Sequence, residues 1–350
     1  MVSESTAQRD RMRRLGLRLA LALGSLVVGL VLTEVGFRLA RGAPWYERLV
    51  DEQAEHASWM CQVGRIMVPL RESLRATPKQ ADEYRILFLG DSFTFGTGVD
   101  DVSKTFVQLV RQRLNATQPL STPRRYQVFN GGIPASLVDK WVALFGEANR
   151  LFQPDLVVAV FFLRDGVRGV TSQQQILKIR EEMARLVDES WLFHYSYIYR
   201  FFRENREQKR LADEYLNRIR EGYFGDAEQT NEWKRAQDGL LQIRHGAQKR
   251  GIPFAVVVFP VLIELDDDYP LKNVCDLVES FCRDHEIPVL SLLPTFMGHR
   301  ASALWVSPID QHPNETGHAL AAEAIYGFLS QLMRSPRMQT VPPGSGVTAP

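Results

Sequence analysis

Two widely separated stretches of this sequence carry side chains suited to attacking a carbonyl carbon and handling the proton. The first is Gly90-Asp91-Ser92, which follows the apolar run Ile86 to Leu89. A serine directly after a buried strand lies at the carboxyl edge of a parallel sheet, where α/β proteins build their sites. It also opens the next segment, so backbone N–H groups beside it can point at a developing oxyanion. Alone this is a weak signal, because Asp and Ser are ordinary turn residues. The second stretch is Asp310-Gln311-His312-Pro313-Asn314, followed by Gly317, His318 and a helical pattern. An imidazole can take the proton of a serine hydroxyl, and a carboxylate can fix its tautomer and stabilise the imidazolium. Asp310 and His312 can meet if their loop turns, and Pro313 keeps a helix from starting at His312. Asn314 is suited to cap the helix that follows, which leaves Asp310 and His312 unexplained by capping. His318 lies inside that helix and reads as structural.

The elements that must position these groups are legible as alternating patterns. ILFLG, RYQVFN, LVVAVFFL, IPFAVVVFP and IPVLSLL read as short buried strands, ending near Gly90, Asn130, Leu163, Pro260 and Leu293. Helical periodicity runs through Phe106–Leu114, Leu137–Phe152, Leu271–Glu286 and Glu315–Met333. Buried strands alternating with helices imply a parallel sheet covered on both faces. Residues 172–250 differ, with charged and apolar residues at helical spacing, and read as a helical insertion. The aromatic segment WLFHYSYIYRFF within it reads as a helix-packing face; a lid or a substrate- or partner-docking surface is the other reading.

The N-terminus adds a segment of another kind. Arg9, Arg11, Arg13, Arg14 and Arg18 precede the apolar run Leu19–Thr33, which Glu34 and Arg38 close. Counted from Leu15, the run reaches the ~17-residue lower limit for a membrane span, and Arg18 can snorkel to the interface. A cleaved signal peptide would show small residues at its exit, whereas this exit reads EVGFRLARGA. An uncleaved signal-anchor is therefore favoured over a cleaved signal, and over an amphipathic helix packed on the domain. The basic flank places the N-terminus in the cytoplasm and the bulk of the chain outside, in the periplasm of a bacterium. The expected organisation is a basic stub with its transmembrane anchor (1–41), a polar neck (42–82), an α/β domain (83–334) and a disordered tail (335–350).

Composition excludes some partners. The 350 residues are 45% hydrophobic and 24% charged with a formal net charge of +1, so no basic surface points to nucleic acid. Cys61, Cys275 and Cys282 are too few and scattered for a disulfide framework or a zinc site. Cys275 and Cys282, seven apart on one helix, stand roughly 10 Å apart at 1.5 Å per residue, too far to bridge. No metal or organic cofactor is expected.

In combination and order, Gly90-Asp91-Ser92 and Asp310-x-His312-Pro-Asn make residues 84–332 resemble the SGNH (GDSL-like) hydrolase superfamily. The resemblance implies a flavodoxin-like three-layer α/β/α fold and an esterase, lipase or carbohydrate deacetylase. It implies Ser92 as nucleophile, His312 as general base and acid, and Asp310 as its orienting carboxylate. Two internal blocks depart from the family pattern. A glycine whose N–H serves the oxyanion is matched by Ala135, within Asn130-Gly131-Gly132-Ile133-Pro134-Ala135. The asparagine of the family's third block is matched by Arg164, beside Asp165. The implied oxyanion site is the N–H groups of Ser92 and Ala135 with Arg164, while Asp91, Asn130 and Asp165 are candidate substrate contacts. Arg164 can replace the missing donor, pair with Asp165, or bind an anionic part of the substrate. The expected activity is cleavage of acyl esters, O-acetyl above all, on an extracytoplasmic carbohydrate or envelope component. An O-acyltransferase on the same scaffold, and a non-catalytic module binding glycan or a protein partner through the insertion, are the alternatives.

Overall fold

The computed structural model describes residues 2–40, 78–117, 124–167, 190–307 and 310–335, together with Glu181, Glu182 and Arg185. Most of the expected neck, the tail beyond Ser335 and Cys61 lie outside these described residues. The chain falls into two compact units: residues 1–56 with 175–213, and residues 57–174 with 214–350.

The first unit contains α1 (Val2–Ala40). It is the described helix long and apolar enough to cross a membrane, over Met12–Leu39, and none of that apolar window is buried. The elements that follow in chain order are β1 (Glu83–Gly90), α2 (Ser92–Phe95), α3 (Phe106–Ala116), β2 (Arg125–Gly132), α4 (Val138–Phe152) and β3 (Leu156–Phe162). Then come α5 (Trp191–Tyr195), α6 (Tyr197–Phe224), α7 (Ala227–Gln248), β4 (Phe254–Phe259), α8 (Lys272–Asp284), β5 (Val289–Ser291), α9 (Leu293–Phe296) and α10 (Glu315–Arg334).

The second unit is built on a five-stranded, all-parallel sheet in the order β2-β1-β3-β4-β5. That is the flavodoxin-like order, whose strand direction of growth reverses beside β1 and leaves a crevice at the carboxyl ends. β3 and β4 are buried along their whole lengths, as expected for strands covered on both faces. α3 packs with α10, and α4 packs with α7. Trp233 of α7 meets Phe281 of α8 edge-on, with ring centroids 5.5 Å apart. The result is the three-layer α/β/α arrangement expected from the alternating pattern.

One boundary moves. The expected insertion runs to residue 250, but α7 is part of the covering layer: Trp233, Leu240, Ile243 and Ala247 are buried in the core. Two of its glycines let it approach α4 closely, since a Cβ at Gly239 would meet Val138 and one at Gly246 would meet Phe145. The apolar stripe of α7 is narrow among its charged residues, so charge density alone made it resemble the insertion.

The amino end of the sheet is closed by a buried ionic network. Arg85 donates to Glu83 Oε2 through Nε at 2.9 Å and Nη2 at 2.6 Å, and through Nη1 to the Phe152 carbonyl at 2.9 Å. Arg125 Nη2 donates to Glu83 Oε1 at 2.5 Å. Asp155 accepts from the Arg85 N–H at 2.7 Å and from Lys79 Nζ at 2.6 Å.

In the first unit, the carboxylate of Glu34 accepts from Ser196 Oγ at 3.0 Å and from the N–H groups of Tyr197 at 2.6 Å and Ile198 at 3.2 Å. It thereby caps α6, whose first N–H groups have no partner within the helix. Arg38 Nη2 donates to the Tyr195 carbonyl at 2.6 Å. Cys275 and Cys282 are free and buried, and burial pushes both thiols up to about 12, leaving them unreactive.

Candidate active site

Ser92 is the first residue of α2, directly past the end of β1. Its backbone is held by a cap: Asp91 Oδ1 accepts from the Phe93 N–H at 2.9 Å. The turn fits because β2 runs alongside without a side chain at Gly132, where a Cβ would lie 2.2 Å from the Phe95 nitrogen. Asn130, at the end of the same strand, donates through Nδ2 to the carbonyls of Thr94 at 2.9 Å and Phe95 at 3.3 Å. Its Oδ1 accepts from the Gly132 N–H at 3.0 Å.

The second loop arrives from the far end of the chain and is turned by backbone pairing. The N–H of Val306 donates to the His312 carbonyl at 2.9 Å, and that of Asn314 to the Leu304 carbonyl at 2.8 Å. Trp305 anchors this loop, its indole N–H donating to the Leu262 carbonyl at 2.7 Å. Asn314 caps α10 by accepting from the N–H groups of Thr316 and Gly317. The turn brings His312 Nδ1 to 2.5 Å from Asp310 Oδ1, which also accepts from the His312 backbone N–H at 3.0 Å. On the other side of the ring, His312 Nε2 stands 2.8 Å from Ser92 Oγ. With Nδ1–H donating to the carboxylate, Nε2 is the acceptor for the serine proton. Asp91 Oδ2 lies 3.4 Å from the same hydroxyl oxygen, a longer contact.

Phe93 supports this line from below. It stacks on Phe162 at 4.0 Å between centroids, meets Phe259 edge-on at 5.0 Å, and lies 5.3 Å from the His312 ring. The imidazole thus rests on core aromatics while staying partly open: its side chain is 19% exposed, and that of Asp310 30%.

The positions matched to the family's oxyanion blocks are as follows. Ala135 is exposed just past β2 and has φ +57°. A residue with a Cβ pays about 1–2 kcal/mol there relative to the right-handed form, which is why glycine suits this position. A cavity of about 330 Å³ opens beside it, lined by Ile133, Pro134, Ser136, Lys140, Ala143, Leu144 and Glu147. Ser92 does not line that cavity; Ala135 is where the cavity and the oxyanion block meet. Arg164, in the 3₁₀ turn Leu163–Gly166 after β3, donates through Nη2 to Asp91 Oδ2 at 3.0 Å and lies 3.4 Å from Asp165 Oδ1. Burial works against its charge, yet Asp91 and Asp165 hold its pKa above the usual guanidinium range. Asp165 is pushed well above the carboxylate range by burial and then by the charge of Asp91, against the pull of Arg164. Arg164 thus bridges the two buried carboxylates of Asp91 and Asp165 beside the Ser92 turn.

The structure therefore corrects one group of expectations. Asp91 and Asp165 are buried and Asn130 spends its side chain on the nucleophile turn, so these three brace the site and do not line it. Their polar side chains signalled a site but not which way they face. His318 is structural, as expected. Its Nδ1 accepts from the Phe106 N–H at 3.1 Å, and burial lowers its pKa to about 3, with a smaller push from His312.

Sequence reading missed several supports. Tyr223 of α6 donates to the Leu163 carbonyl at 2.6 Å and packs on Gly166, where a Cβ would lie 2.2 Å from its oxygen. Trp141 donates through its indole to Ser136 Oγ at 2.8 Å. The only sequence cue was Gly166 itself; nothing local to Tyr223 or Trp141 marks them as partners of loops so far away.

Neither a family model nor a curated protein matches this sequence. Among solved structures the chain is similar to the psychrotrophic esterase EstA from Pseudoalteromonas sp., at 14% identity over 72% of this chain and 99% of that one, with TM-score 0.43. It is similar to an acetylxylan esterase from Geobacillus stearothermophilus, at 15% identity over 70% and 94% of the two chains, with TM-score 0.43. A lipase/acylhydrolase from Enterococcus faecalis matches at 14% identity over 75% and 100%, with TM-score 0.42.

Proposed function

We propose that this chain is a membrane-tethered serine hydrolase of the SGNH type that cleaves acyl esters through an acyl-Ser92 intermediate. The carrying observation is the Ser92 Oγ–His312 Nε2 distance of 2.8 Å with Asp310 on the opposite ring nitrogen. In the reaction, Ser92 Oγ bonds to the ester carbonyl carbon as its proton passes to His312 Nε2. The carbonyl π electrons move to oxygen, where the N–H groups of Ser92 and Ala135 receive the charge, with Arg164 adding a positive field. The intermediate collapses by expelling the alkoxide, which takes the proton from His312. Water then repeats the sequence on the acyl-serine, releasing the acid and restoring the hydroxyl. Asp310 holds the imidazole tautomer throughout. The substrate proposed is an O-acetyl ester on an extracytoplasmic carbohydrate or envelope component.

The tether is α1. Its apolar side chains stand exposed from Leu15 to Val35, where a helix packed on a soluble domain would bury a stripe. The contacts of Glu34 and Arg38 with residues 195–198 favour an anchor that stays attached over one that is cleaved. The basic flank orients the catalytic unit outward, so a periplasmic reporter fused after Pro350 is expected to be active.

The deciding experiment is hydrolysis of p-nitrophenyl acetate by the full chain in detergent. Ser92→Ala and His312→Ala are each expected to lower kcat by about 10⁴–10⁶. Equal rates in the three proteins would leave a binding domain as the better description.

A further inference from the structure

The aromatic segment that follows residue 190 packs only in part: Phe193 is buried and Phe201 meets Phe37, while other rings stand exposed. Outside α1, the large apolar side chains that stand exposed among the described residues are Val102, Trp191, Leu192, Tyr195, Phe202 and Phe224. Four of these six fall within twelve residues, and Trp191 is 71% exposed, Tyr195 66% and Phe202 66%. The same segment is the one tied to the end of α1. Glu34 caps α6 at Tyr197 and Ile198, Arg38 binds the Tyr195 carbonyl and lies 5.1 Å from the Tyr197 ring, and Phe37 meets Phe201 at 5.3 Å.

The depth of that junction follows from helix geometry. At 1.5 Å per residue, the apolar stretch from Leu15 to Thr33 covers about 28 Å, close to the ~30 Å of a bilayer's hydrocarbon core. Glu34 and Arg38 then lie just beyond its outer boundary, and what they hold lies there too. α5 is one short helical turn and Phe202 is five residues past Tyr197, so all three exposed rings sit within about 10 Å of the junction along their helices.

Resting on the reading of α1 as a span, we propose that residues 191–202 are seated in the outer headgroup layer of the bilayer that α1 crosses, with Trp191, Tyr195 and Phe202 as its interface anchors. Amphipathic rings are favoured at that depth, where an apolar body and a polar edge are both satisfied. The function is to fix the first part of the inserted helices to the membrane surface at two points, the span and the aromatic patch.

The test uses the full chain in nanodiscs of phosphatidylcholine and phosphatidylglycerol, with or without lipids brominated near the glycerol end of the chains. The Trp191 contribution is the difference between the natural protein and Trp191→Phe, an exposed and therefore mild change. That component is expected to lose roughly half or more of its emission in brominated discs, while the buried Trp141 and Trp233 are not quenched. Alkaline carbonate extraction of membranes is run in parallel. Resistance to extraction with an unquenched Trp191 overturns the headgroup seat and leaves the span standing. A Trp191 emission that depends on protein concentration instead of bromine assigns the patch to a second copy and also overturns it. Release of the full chain by carbonate overturns the span, and the seat with it.

Discussion

The two ends of the parallel sheet each carry an arginine set between carboxylates, yet they are built to different standards. At the amino end, Arg85 is bound by Glu83 and the Phe152 carbonyl, and Glu83 by a second arginine. At the carboxyl end, a single nitrogen of Arg164 serves both Asp91 and Asp165, and its Nε is buried with no hydrogen-bond partner among the described residues. Thr94 Oγ1, Thr97 Oγ1 and His318 Nε2 likewise lack a partner among the described residues, near the Ser92 turn. Ala135, with its left-handed backbone, belongs to this end as well. Buried polar atoms are ordinarily paired, and orphans and strained residues collect where a site must stay ready to meet a substrate. The amino end pairs its buried charges, whereas the carboxyl end leaves these buried polar atoms without a partner among the described residues.

That contrast can be broken by substitution. Arg85→Ala removes the buried partner of Glu83 and leaves the half-exposed Arg125 on that carboxylate; removing one partner of a buried ion pair costs up to about 3–5 kcal/mol. The expected result is a large drop in the urea midpoint with unchanged kcat in the folded fraction. Arg164→Ala is expected to do the reverse in emphasis: kcat on p-nitrophenyl acetate falls by about 10²–10³ with little change in KM. If Arg164→Ala changes only stability, the two arginines are equivalent and the contrast fails.

A smaller effect sharpens it through pH. His318 has a folded pKa of about 3, below the 6.5 of an exposed imidazole. Between those values the unfolded chain binds the extra proton, so the stability of this group is complete above pH 6.5 and is lost as pH falls toward 3. The slope is about 1.4 kcal/mol per pH unit. Chemical denaturation at pH 4 to 7 is expected to show a shallower decline for His318→Gln than for the natural protein; parallel curves would remove His318 as the cause. The smallest effect is at Ala135. Ala135→Gly relieves about 1–2 kcal/mol of backbone strain and gives back about 0.4–1 kcal/mol in unfolded-chain entropy. A rise in melting temperature of a few degrees or less is expected, with activity retained because the N–H remains.

Much of this was readable in one dimension. All five strands, and the helices at Phe106, Val138, Lys272 and Glu315, begin within about three residues of where hydrophobic periodicity and capping residues place them, β1 starting at Glu83 and not at Ile86. The two loops that carry Ser92, Asp310 and His312 stood out because a hydroxyl, an imidazole and a carboxylate that can share a proton are supplied by few residue types, and the structure brings the three together. The extent of the insertion was misjudged, since α7 presents many charges and only a narrow buried stripe. The orientation of Asp91, Asn130 and Asp165 was misjudged for a related reason: a polar residue beside a site can face the substrate or brace the loop, and its identity is the same in both cases.

The sequence by itself determined the strand and helix pattern, the parallel sheet and the identities of the groups able to act, because these depend on local periodicity and side-chain chemistry. Only the tertiary structure decided that His312 reaches across 220 residues to Ser92, that Arg164 commits itself to Asp91, and that Tyr223 props the third loop. Those are contacts between surfaces distant along the chain, selected by how the layers pack, and no short stretch of sequence contains both partners.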